Sequence, residues 1–309
     1  MQVAFSLAEI AMAFALVAAV SFYYDWIRDL PDRTELGPRW AELRFEPVAL
    51  DATGFAPLRL AGAWKVTADD PRFGGVSALA LDRGKLLALS DSGVLIRFAP
   101  PGSLRTRAAI WEVPRGPNKG KRKTERDSEA LLADLAGRGW WVSYETRNQL
   151  WLYDRRFGHA LQRIRLGDRW KENVGVEGLA PAPGGGLLLF PEADDAVHWV
   201  RGTVSRRLAL AGKTGRISEA SSDGRGGVLV IERHLALSGF SSALVEVERG
   251  DGGYRLGRRL PLALGPIDVP EGLAVERRSD GSRRLWIVTD DNLQPPFRTL
   301  LVALDWPSF

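Results

Sequence analysis

The sequence contains no cysteine and only three histidines, His159, His198 and His234. Without thiols the chain can form neither disulfides nor thiolate metal sites, and thiol catalysis is excluded as well. Three scattered histidines also argue against a multi-histidine zinc centre. A bound metal would therefore be a hard cation held by oxygen ligands.

The chain also lacks a strong excess of charge, since 42 Lys and Arg face 38 Asp and Glu, which gives a formal net charge of +4. Nucleic-acid binding requires basic residues clustered on one face, so no nucleic-acid partner is expected. The one dense basic cluster, Lys119 to Lys123, is interpreted as a solvated loop. The 45% hydrophobic content is typical of a folded protein.

Long apolar runs are absent after residue 24. The one such run, residues 10–24, follows Glu9 and suits the core of a signal peptide. Extended over residues 3–24, it would be long enough for a membrane anchor, and a buried terminal helix is the other alternative. Residues 1–37 are therefore predicted to be a signal peptide or membrane anchor plus linker. The expected location is the periplasm or the outer face of the inner membrane.

Helical periodicity is also absent after Pro38, where short apolar runs alternate with glycine-containing turns and predict buried strands. Five copies of one unit open at positions 42 to 52 residues apart, and this period is typical of a β-propeller. An all-β propeller over residues 38–309 is predicted, with six blades expected and five as the alternative. Residues 40–74 would supply the sixth blade or the closing strands. The opening residues are Ser77, Glu129, Glu177, Glu219 and Glu271.

Each unit also ends its second strand with an acidic residue, and propeller geometry brings both positions to one mouth of the channel. Such crowding is costly unless a cation such as Ca²⁺, or arginines such as Arg147, Arg233 and Arg298, neutralise the carboxylates. A protonated member could act as a general acid. Alternatively, each glutamate merely caps backbone N–H groups of the neighbouring blade. The strand-end acids are Asp91, Glu145, Glu192, Glu232, Asp290 and Asp291.

These residues lie in stretches that resemble the phytase-like family of bacterial proteins, often labelled "esterase-like activity of phytase". The resemblance implies a propeller, an exported location and a hydrolase that acts on phosphoesters or esters with Ca²⁺. The matching stretches are Phe73-Gly-Gly-Val-Ser77-Ala-Leu, Ser90-Asp91-Ser-Gly93, Asp127-Ser-Glu129-Ala-Leu, Glu177-Gly-Leu-Ala, Glu232-Arg233, Glu271-Gly-Leu-Ala-Val, Thr289-Asp290-Asp291-Asn292 and Arg298-Thr-Leu-Leu.

On this basis a monomeric hydrolase with a small anionic or ester substrate is expected, and the acidic mouth would be its active site. The alternative is a non-catalytic, envelope-associated binding module with a structural cation. The predicted catalytic residues are Glu177, Glu271, Glu232, Arg233 and Arg298, and Arg233 and Arg298 would hold the substrate anion. The predicted Ca²⁺ ligands are Asp91, Glu129, Glu145, Glu192, Glu219, Asp290, Asp291 and Asn292.

Overall fold

The computed structural model describes residues 38–114, 116, 126–167 and 175–307. Within these ranges the chain forms β-strands and one short 3-10 turn, Ala52–Phe55. In chain order the strands are β1 (Arg39–Pro47), β2 (Arg59–Ala68), β3 (Val76–Asp82), β4 (Lys85–Ser90), β5 (Val94–Phe98), β6 (Arg105–Glu112), β7 (Ser128–Ala133), β8 (Gly139–Tyr144), β9 (Gln149–Asp154), β10 (Ala160–Arg165), β11 (Val176–Pro181), β12 (Leu187–Pro191), β13 (Ala196–Arg201), β14 (Val204–Ala211), β15 (Arg216–Ser222), β16 (Val228–Ala236), β17 (Gly239–Gly250), β18 (Gly253–Leu262), β19 (Val269–Arg277), β20 (Arg283–Asp290) and β21 (Leu300–Trp306).

The described strands form five four-stranded antiparallel units. Units one to four are the consecutive meanders β3–β6, β7–β10, β11–β14 and β15–β18. The fifth unit consists of β19, β20 and β21, and β2 completes it by pairing with β21, for example Lys65 with Leu300. The first strand of each unit contacts that of the next, and β19 contacts β3, which closes a propeller-like ring.

This topology differs from the six blades expected from the sequence and corresponds to the five-blade alternative. Residues 40–74 do not form a unit of their own, because β2 supplies the outer strand that the three C-terminal strands lack. Strand β1 lies between β2 and β6 and joins the outer edges of the fifth and first units. The ring is therefore closed by β2, a strand that lies outside the sequence repeat.

The hydrophobic core lies between neighbouring units. Strand β8 is buried along its whole length because units pack against both of its faces. Consecutive residues of a strand face opposite sides. Accordingly, Trp140 packs in the core shared with the first unit, and Trp141 packs in the core shared with the third. The continuous apolar runs of the sequence are therefore strands covered on both faces.

The predicted leader or anchor, residues 3–24, lies outside the described residues. Within the described part of the chain, no helix has the length and apolar character needed to span a bilayer.

Candidate functional site: an acidic ring at one mouth of the propeller

The five inner strands share a β-bulge close to their first residue. In β11 the register shifts between Val176 and Gly178, so Glu177 has no partner in β12. The other inner strands have the same irregularity at the equivalent place. A bulge re-aims the side chain of the extra residue. The bulge residues are Ser77, Glu129, Glu177, Ser218 and Glu271.

A second position of each unit lies beside the bulge, on the adjacent strand or just beyond its end. In the third unit Val176 pairs with Pro191, and the next residue, Glu192, donates its N–H to the carbonyl of Gly175 at 3.3 Å. We call the five bulge residues and these five neighbours the acidic ring. The neighbours are Asp91, Glu145, Glu192, Arg233 and Asp290.

The fourth unit departs from the sequence-based alignment by one residue on each strand. In the register of β15 and β16, Glu219 pairs with Ile231 and Glu232 pairs with Ile217. Ser218 and Arg233 therefore occupy the ring positions that the sequence assigned to Glu219 and Glu232. Arg233 is the one basic residue among the ten ring positions.

Glu232 is not part of the ring and instead holds the loop before β15. Its fully buried carboxylate accepts N–H groups of Thr214 at 2.6 Å and Gly215 at 2.8 Å, and it pairs with Arg259 at 2.9 Å. Although burial opposes ionisation, these hydrogen bonds and Arg259 lower the pKa of Glu232. The predicted catalytic role of Glu232 is therefore replaced by a capping role.

Replacing Glu232 by Gln is expected to destabilise the protein by about 2–3 kcal/mol, because Arg259 and the loop N–H groups lose a charged acceptor. Urea denaturation in the presence and absence of Ca²⁺ measures this effect. The loss should be the same under both conditions, since the carboxylate does not face the ring. A loss that appears only with Ca²⁺ would contradict the capping role.

Glu219 remains buried within the same mouth although it lies outside the ring positions. It is 1% exposed, and one of its oxygens accepts the N–H of Ala220 at 2.8 Å. Its other oxygen, Oε2, is buried without a hydrogen-bond partner. Burial, followed by the nearby Glu271 and Glu177, raises the pKa of Glu219 well above its ordinary value, although backbone N–H groups of Ala220 and Leu273 oppose the shift. The environment of Glu219 therefore favours its protonated form.

The two serines of the ring fix the spacing between units. The hydroxyl of Ser77 donates to the carbonyl of Ser128 at 2.6 Å, and the hydroxyl of Ser218 donates to the carbonyl of Pro270 at 2.7 Å. Each accepting residue directly precedes the bulge of the next inner strand. These bonds hold adjacent bulges, and with them their side chains, in register.

Three carboxylates meet within the second unit. Asp127, Glu129 and Glu145 each offer an oxygen atom, and these atoms lie within 4.8 Å of one another. Burial and the charge of Asp127 raise the pKa of Glu145 to about 7, and burial and the charge of Glu177 raise that of Glu129 well above its usual range. The sequence prediction omitted Asp127, although residues two apart share one face of a strand and its position before Glu129 was a usable signal.

Arg233 joins the third and fifth units. Its guanidinium donates to Glu192 at 3.1 Å and to Glu271. Burial raises the pKa of Glu271 to about 7 even though Arg233 opposes the shift. Burial and the charges of Glu145, Glu271 and Glu192 raise the pKa of Glu177 well above its ordinary value. Arg216 also pairs with Glu192 at 2.8 Å. Arg233 and Arg216 thus compensate part of the ring's negative charge.

The fifth unit adds Asp290, whose pKa is raised well above its usual range by burial and by the charges of Asp91 and Glu271. Asn292 donates its backbone N–H to Asp290 at 2.8 Å. Asp291 accepts the N–H groups of Gly75 at 2.8 Å and Leu293 at 3.0 Å. Asp291 thus ties the fifth unit to the loop before β3.

Arg298 lies in a separate cluster. It forms two hydrogen bonds of 2.9 Å with Asp268, whose side chain is fully buried. Asp268 also accepts the N–H of Gly265 at 2.8 Å. This bidentate pair fixes the loop before β19, so the predicted contact of Arg298 with substrate is replaced by a structural role.

The donor set of the ring fits a hard divalent cation. Its ligand atoms are carboxylate oxygens, which Ca²⁺ prefers. The ring contains neither the sulfur nor the imidazole ligands that softer metals prefer. The trio Asp127, Glu129 and Glu145 is close enough to share one ion. The mutual repulsion of the carboxylates, which raises the pKa of Glu129 and Glu177, is a feature that a cation would relieve.

No protein with a curated functional description matches the sequence. Among solved structures, glutaminyl cyclase from Myxococcus xanthus aligns with 76% of this chain and 92% of its own at 16% identity, with a TM-score of 0.49. Regucalcin from Agrobacterium tumefaciens aligns with 74% of this chain and 90% of its own at 12% identity, with a TM-score of 0.43. Hydrazine synthase from Kuenenia stuttgartiensis aligns at 12% identity with a TM-score of 0.42, over 74% of this chain and 59% of its own.

None of these TM-scores reaches 0.5, so the assignment depends on a family model. The phytase-like model, described as "Esterase-like activity of phytase", matches residues 71–293. The match begins shortly before β3 and includes all ten positions of the acidic ring. The chain therefore belongs to the phytase-like family.

Proposed function

We propose that this protein is a Ca²⁺-dependent hydrolase of phosphoesters or carboxylic esters and that the acidic ring is its active site. The observation that carries the proposal is the trio Asp127, Glu129 and Glu145, whose oxygens lie within 4.8 Å of one another and whose side chains are half-buried. The family description, which names an esterase-like activity of phytase, supports the same reaction class.

In this proposal the residues of the ring divide into ligands and proton carriers. Asp127, Glu129 and Glu145 would hold the ion, and Glu177, whose charge acts on Glu129, would add a further negative charge beside it. Bound Ca²⁺ would supply a positive charge beside the phosphoryl or carbonyl oxygen and would lower the pKa of a bound water. Glu271, with a pKa of about 7, can hold and release a proton near neutral pH, as a general acid or base requires. Arg233 acts as a positioning residue because its guanidinium holds Glu271 and Glu192 in place.

The test combines a Ca²⁺ titration of thermal stability with activity assays on p-nitrophenyl phosphate, bis(p-nitrophenyl) phosphate and p-nitrophenyl acetate. Ca²⁺ should raise the melting temperature, and at least one ester should be hydrolysed in a Ca²⁺-dependent manner. Replacing Glu129 by Gln should weaken Ca²⁺ binding by about 10–100-fold. The matched control is Glu248→Gln, which alters a 44% exposed side chain that pairs with Arg255 on the surface. Equal effects of the two variants would overturn the metal assignment.

The second candidate is a non-catalytic module in which the cation is structural. It is favoured by the hydrogen bonds of the two ring serines. Ser77 and Ser218 both donate to backbone carbonyls of the next unit, so their hydroxyls hold the units together. This candidate predicts the same stabilisation by Ca²⁺ without hydrolysis of any of the three esters. The activity assays therefore distinguish the two functions, while the titration tests the cation site that they share.

A further inference from the structure

A cavity of about 640 Å³ opens between the first and second units, far from the acidic ring. It lies beside the turn from β3 to β4, the turn from β7 to β8 and the turn that follows β9. Strand β3 begins at the ring and ends at Asp82 in the cavity wall. The five residue steps from Ser77 to Asp82 therefore separate the two sites by about 17 Å of strand. The volume falls within the range of about 300–1,000 Å³ that is common for small-molecule sites.

The lining of this cavity carries an excess of positive charge. Asp82 pairs with Arg97 at 3.1 Å. Asp134 binds two residues that do not line the cavity: it pairs with Arg138 at 2.9 Å and accepts the indole N–H of Trp141 at 3.0 Å. The charged residues of the lining are Asp82, Arg83, Arg97, Asp134, Arg155 and Arg156.

Three of the lining arginines remain without a carboxylate. Arg155 donates its Nε–H to the carbonyl of Gly137 at 2.6 Å, which leaves the terminal nitrogens of its guanidinium for a ligand. Arg83 and Arg156 form no ion pair within the described residues. Guanidinium groups bind phosphate in a bidentate manner and are therefore suited to ligands with several anionic oxygens.

The backbone at Arg83 is an independent observation. Arg83 has φ +51° and Gly84 has φ +76°, so the two residues form a tight turn of the type that prefers Asn, Asp or Gly at the first position. An arginine in the left-handed region is strained, and residues held in this way concentrate at functional sites. The strain brings the Arg83 side chain to the rim of the cavity.

We propose that this cavity binds a soluble small molecule that carries phosphate groups. Arg83, Arg155 and Arg156 would bind the phosphate oxygens, and Leu81 and Trp140 supply the apolar part of the lining. This site is distinct from the proposed hydrolase site, since it has neither the carboxylate trio nor the cation. It would make the protein responsive to a phosphorylated compound at the face opposite its active site.

The test uses inorganic pyrophosphate as the probe and measures its binding to the purified chain by calorimetry in the presence of EDTA. Saturable binding is expected. Arg83→Asn and Arg156→Ala should each weaken it at least tenfold. Arg83→Asn should also raise the melting temperature of the free protein, because Asn fits the turn better. The control Arg258→Asn removes an equivalent exposed charge from β18 and should leave binding unchanged.

Several results would overturn the proposal. These are the absence of saturable binding, an equal loss in Arg258→Asn, or stronger binding in Glu177→Gln, since removal of a negative charge would favour an anion bound at the acidic ring. A parallel experiment with phosphatidylglycerol vesicles identifies the source of the phosphate. Binding of vesicles without binding of pyrophosphate would also overturn the assignment to a soluble ligand. Failure of the hydrolase assays has no bearing on any of these outcomes.

Discussion

Replacing Glu177 by Gln is expected to stabilise the metal-free protein at pH 8 and to abolish its turnover. Glu177 is 9% exposed and faces Glu145, Glu271 and Glu192, so its ionisation opposes burial and three like charges. A neutral side chain of the same shape avoids this cost, which we expect to raise the free energy of unfolding by about 1–3 kcal/mol. Ca²⁺ should in turn stabilise the variant much less than the wild type.

The measurement is urea denaturation in EDTA and in Ca²⁺, together with turnover of the best ester. Turnover should fall by at least about 100-fold, comparable to the loss of a single preorganised electrostatic group in other enzymes. Glu232→Gln is the matched control, because it replaces an equally buried glutamate that is hydrogen-bonded rather than crowded. The two variants should change the metal-free stability in opposite directions. A Glu177→Gln protein that retains turnover would contradict the proposed active site.

The second large effect is expected in the pH dependence of the metal-free protein, whose stability should decrease as the pH rises from about 4.5 to 8. Burial and neighbouring acids raise the pKa of Glu145 and of Glu271 from 4.5 to about 7. Since the folded state binds these protons more tightly, their contribution is complete below pH 4.5 and is lost as the pH rises through about 7. Each glutamate accounts for about 3 kcal/mol.

Urea denaturation at pH 5 and pH 8 in EDTA tests this expectation. The double variant Glu145→Gln with Glu271→Gln should flatten the profile over this range. Ca²⁺ should restore stability at pH 8, since it binds the ionised carboxylates. Stability that increases from pH 5 to pH 8 in EDTA would show that the ring carboxylates are not crowded in the folded protein.

The sequence predicted the all-β repeat because each unit combines a glycine-containing turn with a continuous apolar strand. It left open whether residues 40–74 form a further blade or the closing strands, since β2 carries no repeat motif and its role depends on pairing with β21. Only the three-dimensional arrangement shows that the C-terminal unit lacks a strand. The six-blade expectation came from counting this strand as part of a further unit.

In four units the strand register places the residues named by the repeat at the ring positions, but in the fourth unit each position is shifted by one residue. Ser218 and Glu219 are adjacent, as are Glu232 and Arg233, and residue type alone does not show which member of each pair lies at the bulge. The register of β15 and β16 decides this, and it exchanges an acid for a base in the ring. Arg298 was assigned to substrate because its partner, Asp268, had no recognisable motif.

Closure of the ring by β2 also has a consequence for synthesis of the protein. Because β2 pairs with β21, the first and fifth units become neighbours only after the C-terminal strand has left the ribosome. Asp91 and Asp290, which influence each other electrostatically, belong to these two units. The repulsion between these two carboxylates therefore begins only when the ring closes, whereas Asp127, Glu129 and Glu145 already meet within the second unit. The pairing of β2 with β21, which are far apart in the sequence, also predicts slow folding. A cation could accelerate folding only after the first and fifth units have met.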